Sequence, residues 1–191
     1  MAMETMTSRV KGMLLEPRAT WKEIDGEFTK PGEIWTKYVI PLAAIGPIAG
    51  AIGMTIFGER IAFTSLTNNV TLTTAIERAI GGYVIALLVV FALSRVISLL
   101  APGFGGQRND VQGLKVAAYA STASWIGGIF LLIPALGLVS LIFSVYSLVL
   151  LYTGLPILMK VPQDRAMGYT AVVIIVCIVV FLLAAAILTA I

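Results

Sequence analysis

The residues able to do chemistry are few, and their spacing argues against catalysis. Histidine is absent from the 191 residues, and Cys177 is the single cysteine. That excludes an intramolecular disulfide and any thiolate cluster for zinc or iron–sulfur. A nucleophile with its base, a carboxylate pair or a metal is the usual minimum for an active site. Lys115 and Ser121 could form a Ser-Lys dyad, but six residues on a helix put them on different faces. Glu77 beside Arg78, and Asp110 near Arg108, lie at the ends of apolar runs, where capping and solvation account for them. Asp110 is expected to be a helix N-cap, its carboxylate accepting an otherwise orphan backbone N–H. The connector Ala101-Pro-Gly-Phe-Gly-Gly-Gln-Arg-Asn-Asp-Val-Gln-Gly113 is rich in glycine, yet no Gly-Lys-Ser or Gly-Lys-Thr follows and no strand precedes it, so it reads as a turn rather than a phosphate cradle. No enzyme, cofactor or metal is expected. Nucleic acid is not expected either, for the cations form no basic stripe.

What positions these residues is a set of long apolar runs. Hydrophobic residues make up 59% of the chain and charged residues 12%, against roughly a quarter charged in a soluble domain. Val116 to Met159 carries no charge. That is too long for one helical crossing of about 20 residues and right for two, with the turn at Ile133-Pro134-Ala135-Leu136-Gly137. The chain is therefore expected to be an all-α integral membrane protein with five transmembrane helices, near 38–57, 76–100, 111–133, 136–159 and 169–190. No cationic n-region leads into a cleavage site, so the first span is expected to be retained. Its Pro41 and Pro47 should kink it, each removing a backbone hydrogen bond. A hinge or wet cavity is the functional alternative to simple packing there. The polar stretch from Gly58 to Ala75 faces away from the cytoplasm. Its Asn69-Val70-Thr71 matches a glycosylation acceptor only as a weak three-residue pattern.

Residues 1–37 form a cytoplasmic amphipathic segment. Val10, Met13, Leu14, Trp21 and Ile24 fall close to one helical face, and Pro17 splits the segment into two short helices. These are expected to lie along the membrane surface, the alternative being that their apolar face packs on the protein itself. Acids and bases balance there, so a polybasic lipid clamp is not supported. Orientation follows from the cations. Arg9, Lys11, Arg18, Lys22, Lys30, Lys37, Arg95, Arg108, Lys115, Lys160 and Arg165 share one side, leaving Arg60 and Arg78 on the other. Such a bias places the N-terminus in the cytoplasm and, after five spans, the C-terminus outside.

Small and hydroxyl residues mark helix crossings. Gly46 and Gly50 form a GxxxG, and Ser140, Ser144 and Ser147 share a face of the fourth span. Both patterns suit close packing, within one chain or between two copies. Arg95 lies inside the second span, about two turns from its end, and either snorkels to the interface or pairs with Asp110 or a lipid phosphate.

Several stretches carry a resemblance. Val10-Lys-Gly-Met-Leu-Leu-Glu-Pro-Arg-Ala-Thr-Trp21, Leu100-Ala-Pro-Gly-Phe-Gly-Gly106, Leu114-Lys-Val-Ala-Ala-Tyr-Ala120, and Gly154-Leu-Pro-Ile-Leu-Met-Lys-Val-Pro162 followed by Gly168-Tyr169 together resemble bacterial members of the Yip-one family of Ypt/Rab-interacting membrane proteins. The resemblance implies five helices and a cytoplasmic N-terminus. Eukaryotic members act in vesicle traffic, bind prenylated Rab GTPases or help shape membranes. Their long acidic cytoplasmic domain has no match here, so fold and membrane placement carry over and that function does not. The expected function is a non-enzymatic, bacterial inner-membrane protein that binds membrane lipids or a protein partner. Its cytoplasmic face would be lined by Trp21, Arg95, Arg108, Lys115, Tyr119, Lys160, Arg165 and Tyr169. A lipid scramblase or small-molecule channel or transporter with a groove near Arg95 is the alternative.

Overall fold

The computed structural model describes residues 6–60, 67–68 and 70–190; Asn69 lies outside them. Two short helices, α1 (Met6–Leu15) and α2 (Pro17–Gly26), lead the chain. Four long helices follow: α3 (Pro31–Phe57), α4 (Leu72–Phe104), α5 (Asp110–Leu132) and α6 (Pro134–Leu158). Each is long and apolar enough to cross a membrane. A last helix, α7, spans Gln163–Ala190. A two-residue antiparallel ladder between β1 (Glu59–Arg60) and β2 (Thr67–Asn68) closes the α3–α4 connection.

The helices begin earlier than hydropathy suggests, because capping and proline set a helix start whereas apolarity marks only the lipid-crossing part. α3 starts at Pro31 rather than Tyr38, with proline in the first turn, where no N–H is needed. α4 starts at Leu72 rather than Ile76, capped by Thr71, whose hydroxyl accepts from the Thr74 N–H. Pro41 and Pro47 do distort α3. Before Pro41 the chain widens into a π-helical turn, Trp35–Val39, in which the Ile40 N–H bonds to the Trp35 carbonyl. A second break falls at Ala44, three residues before Pro47. The N-cap of α5 is Asn109, not Asp110. Asn109 is extended and its side chain accepts from the Val111 and Gln112 N–H groups, while the Asp110 carboxylate is drawn sideways to α4.

The two halves of the long uncharged run have opposite fates. In α5, 61% of the membrane-length window is buried; in α6 the share is 11%. α5 is the central helix and α6 the outer one. Small residues make the central position possible. A Cβ on Gly128 would sit 2.7 Å from the Gly46 Cα, and one on Gly113 would sit 2.7 Å from the Ser94 carbonyl oxygen. Gly46 thus lies at a helix crossing. Its GxxxG partner Gly50 does not, since nothing among the described residues approaches its Cβ position within 4 Å; the next close approach on α3 is Gly53, which faces the Leu131 carbonyl. Of the three serines on α6, Ser147 accepts a bond across the interface from the Ser124 N–H at 2.8 Å, whereas the Ser144 hydroxyl bonds back to the Ser140 carbonyl within the helix.

Leu72, Ile76, Ile80, Val84, Leu88 and Phe91 recur every three or four residues along α4, all exposed; Leu138, Leu141, Ile142, Val145, Leu148, Val149 and Tyr152 do the same on α6. Apolar stripes of this length suit lipid, not water. Exposed Ile175, Ile178, Val179 and Leu182 extend the pattern to α7.

The N-terminal helices break at Glu16–Pro17 as the sequence predicts, but they do not lie flat. They form a hairpin standing upright against α5 and α6. Asp25 meets Lys160, Trp21 covers Gly154, and the Leu14 carbonyl accepts from the Tyr146 hydroxyl at 3.0 Å. Falling numbers in the hairpin match falling numbers in α6, so α2 runs parallel to α6 and the hairpin's tip points toward the middle of the bundle. The apolar face is spent on this packing: Met13, Trp21 and Ile24 are completely buried.

Candidate functional site

The end of the bundle that carries the hairpin is where charged side chains gather, and Lys115 is at its centre. Its side chain is 2% exposed, and its ammonium donates to the carbonyls of Ile24 at 2.9 Å and Glu27 at 2.6 Å. Those carbonyls close the C-terminal end of α2, where acceptors outnumber donors and the dipole favours a cation; among the described residues Ile24 otherwise accepts only a long bond, 3.3 Å, from the Glu27 N–H. Lys115 therefore caps a helix distant in sequence.

Other bonds fasten the same turn. Lys160 donates to the Asp25 carboxylate at 2.5 Å, and the Gln112 amide reaches both the backbone and side-chain oxygens of Asp25 at 3.4 Å. Arg9, on α1, pairs with Glu27 and lies 5.6 Å from the Tyr119 ring centroid. Lys160 holds its position in the left-handed region, at φ 56°, a conformation uncommon for a residue with a Cβ. Beneath the turn, Trp21 and Tyr38 both meet Tyr119 edge-on, and the Tyr38 hydroxyl is 2.7 Å from that of Thr122.

A second cluster joins α4 to α5 and α7. Asp110 accepts from Arg95 at 2.6 Å and from the Ser98 hydroxyl at 2.5 Å. Arg95 thus points at the start of α5, in an exposed ion pair, with its guanidinium 5.9 Å from the Phe91 ring. Tyr169 is fully buried; its hydroxyl donates to the Ile97 carbonyl at 2.6 Å and its ring packs on Phe104.

The eight residues expected to line one face accordingly divide. Arg95, Arg108, Lys160 and Arg165 are exposed. Trp21, Lys115, Tyr119 and Tyr169 are buried and build the support beneath. The correction has one cause: each of these four carries a long or aromatic side chain that finds a backbone, a ring or a glycine to occupy. Missed by the sequence reading were Arg9, Asp25, Glu27 and Gln112, which bind the hairpin down. A cavity of about 390 Å³ does open between α3 and α4, but at Ile48, Ile52, Ile56, Leu72, Ile76 and Ile80. From Ile80 to Arg95 is about 22 Å of helix, so this is not a groove beside Arg95, and its walls are apolar.

Comparison with known proteins joins this arrangement to a family. A model of the Yip1 domain matches residues 11–184. The chain belongs to the Yip1 domain family. The match begins inside α1 and runs far into α7, so α2 and the second half of α1 fall within the family's domain. The chain is also 24% identical over 167 residues to the inner membrane protein YohC of Escherichia coli K12, covering 86% of this chain and 85% of YohC, with the same figures for YohC of Escherichia coli O6:H1. No solved structure matches.

Proposed function

We propose that this Yip1-family protein is a non-enzymatic inner-membrane protein that binds lipids or a protein partner through the end of the bundle bearing the hairpin. In this reading α7 is the fifth span, the N-terminus is cytoplasmic and the C-terminus lies outside. The cation distribution supports that orientation, and the name of the Escherichia coli relative agrees with the membrane. The observation that carries the reading is the division of the charged residues. Hairpin bonds consume Lys115 and Asp25 internally, whereas Arg108 and Arg165, and Arg95 in its exposed pair with Asp110, face outward around the same end. A rigid, backed surface with outward cations suits recognition of anionic headgroups or an acidic protein surface. A transport path would need polar lining, and the cavity between α3 and α4 has only the Thr55 hydroxyl among otherwise apolar side chains.

Photocrosslinking tests this. Benzoylphenylalanine placed at Arg108 or Arg165 in native membranes is expected to give a discrete protein adduct or one selective for anionic phospholipid, whereas the probe at lipid-facing Ile80 should give only unselective acyl-chain adducts. No such adduct at either cationic position sinks the binding reading. Rapid leaflet exchange of a fluorescent lipid in proteoliposomes, abolished by Arg95→Ala, would favour scrambling instead.

A further inference from the structure

We propose that the tip of the α1–α2 hairpin re-enters the bilayer, seating Leu15 among acyl chains of the cytoplasmic leaflet while Lys11, Arg18 and Lys22 bind anionic phospholipid headgroups. This rests on the membrane placement and orientation just described and names the partner. Level along α6 sets the depth of the tip. On α6 the lipid-facing series of apolar residues runs from Leu138 to Tyr152. The hairpin's Leu14 is tied to Tyr146, which lies six residues, or about 9 Å, nearer the middle of the bilayer than Tyr152. Insertion by some 5–10 Å is the depth of an interfacial helix, here reached by the end of an upright hairpin.

At the tip Leu15 agrees with that depth, and the exposed Glu16 beside it must turn its carboxylate toward the headgroup layer. Leu15 is 68% exposed although Met13, two residues earlier, is completely buried; nothing among the described residues covers it. Its neighbour Leu14 is bonded to Tyr146, and the residues flanking Tyr146 on α6, Val145, Leu148 and Val149, are exposed and apolar. Acids and bases balance over residues 1–37, but Asp25, Glu27 and Glu33 are taken by Lys160, Arg9 and Lys37; Lys11 lies one turn from Leu15 on α1, and Arg18 and Lys22 lie a turn apart on α2, all three exposed. Long cationic side chains with apolar stems reach from this depth to the phosphate layer. At the hairpin's other end Asp25 is fixed to Lys160, so the tip is held at a set level.

Full-length protein carrying Cys177→Ala and a single reporter, Leu15→Cys or Glu23→Cys, is labelled with bimane and reconstituted into phosphatidylglycerol–phosphatidylethanolamine vesicles. Glu23 is exposed near the far end of α2. The bimane at position 15 is expected to be quenched at least about threefold more by acyl-chain nitroxide lipids than the one at 23, with the reverse for aqueous iodide. Iodide reaching position 15 as readily as position 23 overturns insertion. Combined Lys11→Ala, Arg18→Ala and Lys22→Ala substitution is expected to reduce the phosphatidylglycerol that co-purifies; unchanged lipid content overturns the headgroup assignment. If crosslinks form from Arg108 or Arg165 while position 15 stays water-accessible, only the hairpin proposal fails. If position 15 is lipid-quenched and no crosslink forms, only the wider binding surface fails.

Discussion

Gly154→Ala should loosen the N-terminal hairpin without harming the helix that carries it. A Cβ at this position would stand 2.6 Å from two atoms of the Trp21 indole, and Trp21 is completely buried. Ordinary carbon contact is about 3.5–4.0 Å, so the indole must retreat by about 1 Å from a fitted site. Overpacking of this kind costs about 1–3 kcal/mol. Alanine also favours the helix by nearly 1 kcal/mol over glycine, but that gain applies to α6 whether the hairpin is docked or not, and cancels from the docking equilibrium. Docking should therefore weaken by about 1–3 kcal/mol, which is roughly 5- to 140-fold in the open population. The reporter is Ile24→Cys in a Cys177→Ala background, since Ile24 is completely buried one turn from Trp21 on the face that packs against the bundle. Maleimide labelling of the thiol at position 24 should accelerate by that factor if local opening limits access. Adding Trp21→Leu, which removes the colliding ring, should shrink the effect of Gly154→Ala and expose the coupling between the two sites. Labelling rates equal within a factor of two in the glycine and alanine proteins would refute the packing argument.

Three further outcomes follow from the same contacts. Lys115→Met keeps the stem but takes the ammonium from the Glu27 carbonyl and leaves Ile24 only its long bond from the Glu27 N–H; an unsatisfied acceptor costs about 1–3 kcal/mol, so detergent-solubilised protein should melt lower, and an Ile24→Cys reporter should lose its protection from maleimide. Gly53→Ala should lower the melting temperature, since its Cβ would collide with the Leu131 carbonyl, whereas Gly50→Ala, with open space around it, should leave it unchanged or raise it. The Arg95–Asp110 pair is half-exposed on both sides, so a double-mutant cycle with Arg95→Gln and Asp110→Asn should find weak coupling that vanishes in high salt.

The readable parts of the fold are those set by local signals. Hydropathy marks the four long helices, Pro134 marks the turn between α5 and α6, and Pro17 marks the break in the hairpin, because each depends on residues close in sequence. The reversed roles at the start of α5 show the limit. Asn109 and Asp110 are adjacent and both suited to capping; Ser98 and Arg95, more than ten residues away, claim Asp110 and leave the cap to Asn109. Lys115 is misread for the same reason. A lysine beside an apolar run is ordinarily a boundary marker, since lysine is almost never fully buried unless paired. Its partners are carbonyls on a helix about ninety residues earlier, and backbone acceptors leave no trace in composition. Gly50 and Gly53 are indistinguishable by spacing alone until the irregular turns before Pro41 and Pro47 fix which face of α3 meets α5.

The contrast between α5 and α6 follows from the solvent. In water a helix is drawn inward by its apolar side chains, but lipid tails are as apolar as leucine and offer no such gain. What draws a helix inward in a bilayer is close backbone approach and the pairing of polar groups that lipid cannot satisfy. α5 has the lower mean hydropathy of the two, 1.2 against 2.2, and holds Thr122, Ser124, Gly127 and Gly128, which meet Tyr38, Ser147, Phe143 and Gly46 respectively. Burial of its Lys115 end then requires something able to cover a cation, and the hairpin supplies two carbonyls for it. The same helix that gathers the core thus fixes the position of α1 and α2. That is why the proposed recognition surface and the proposed lipid-inserting tip would belong to one unit rather than to a loose N-terminal tail.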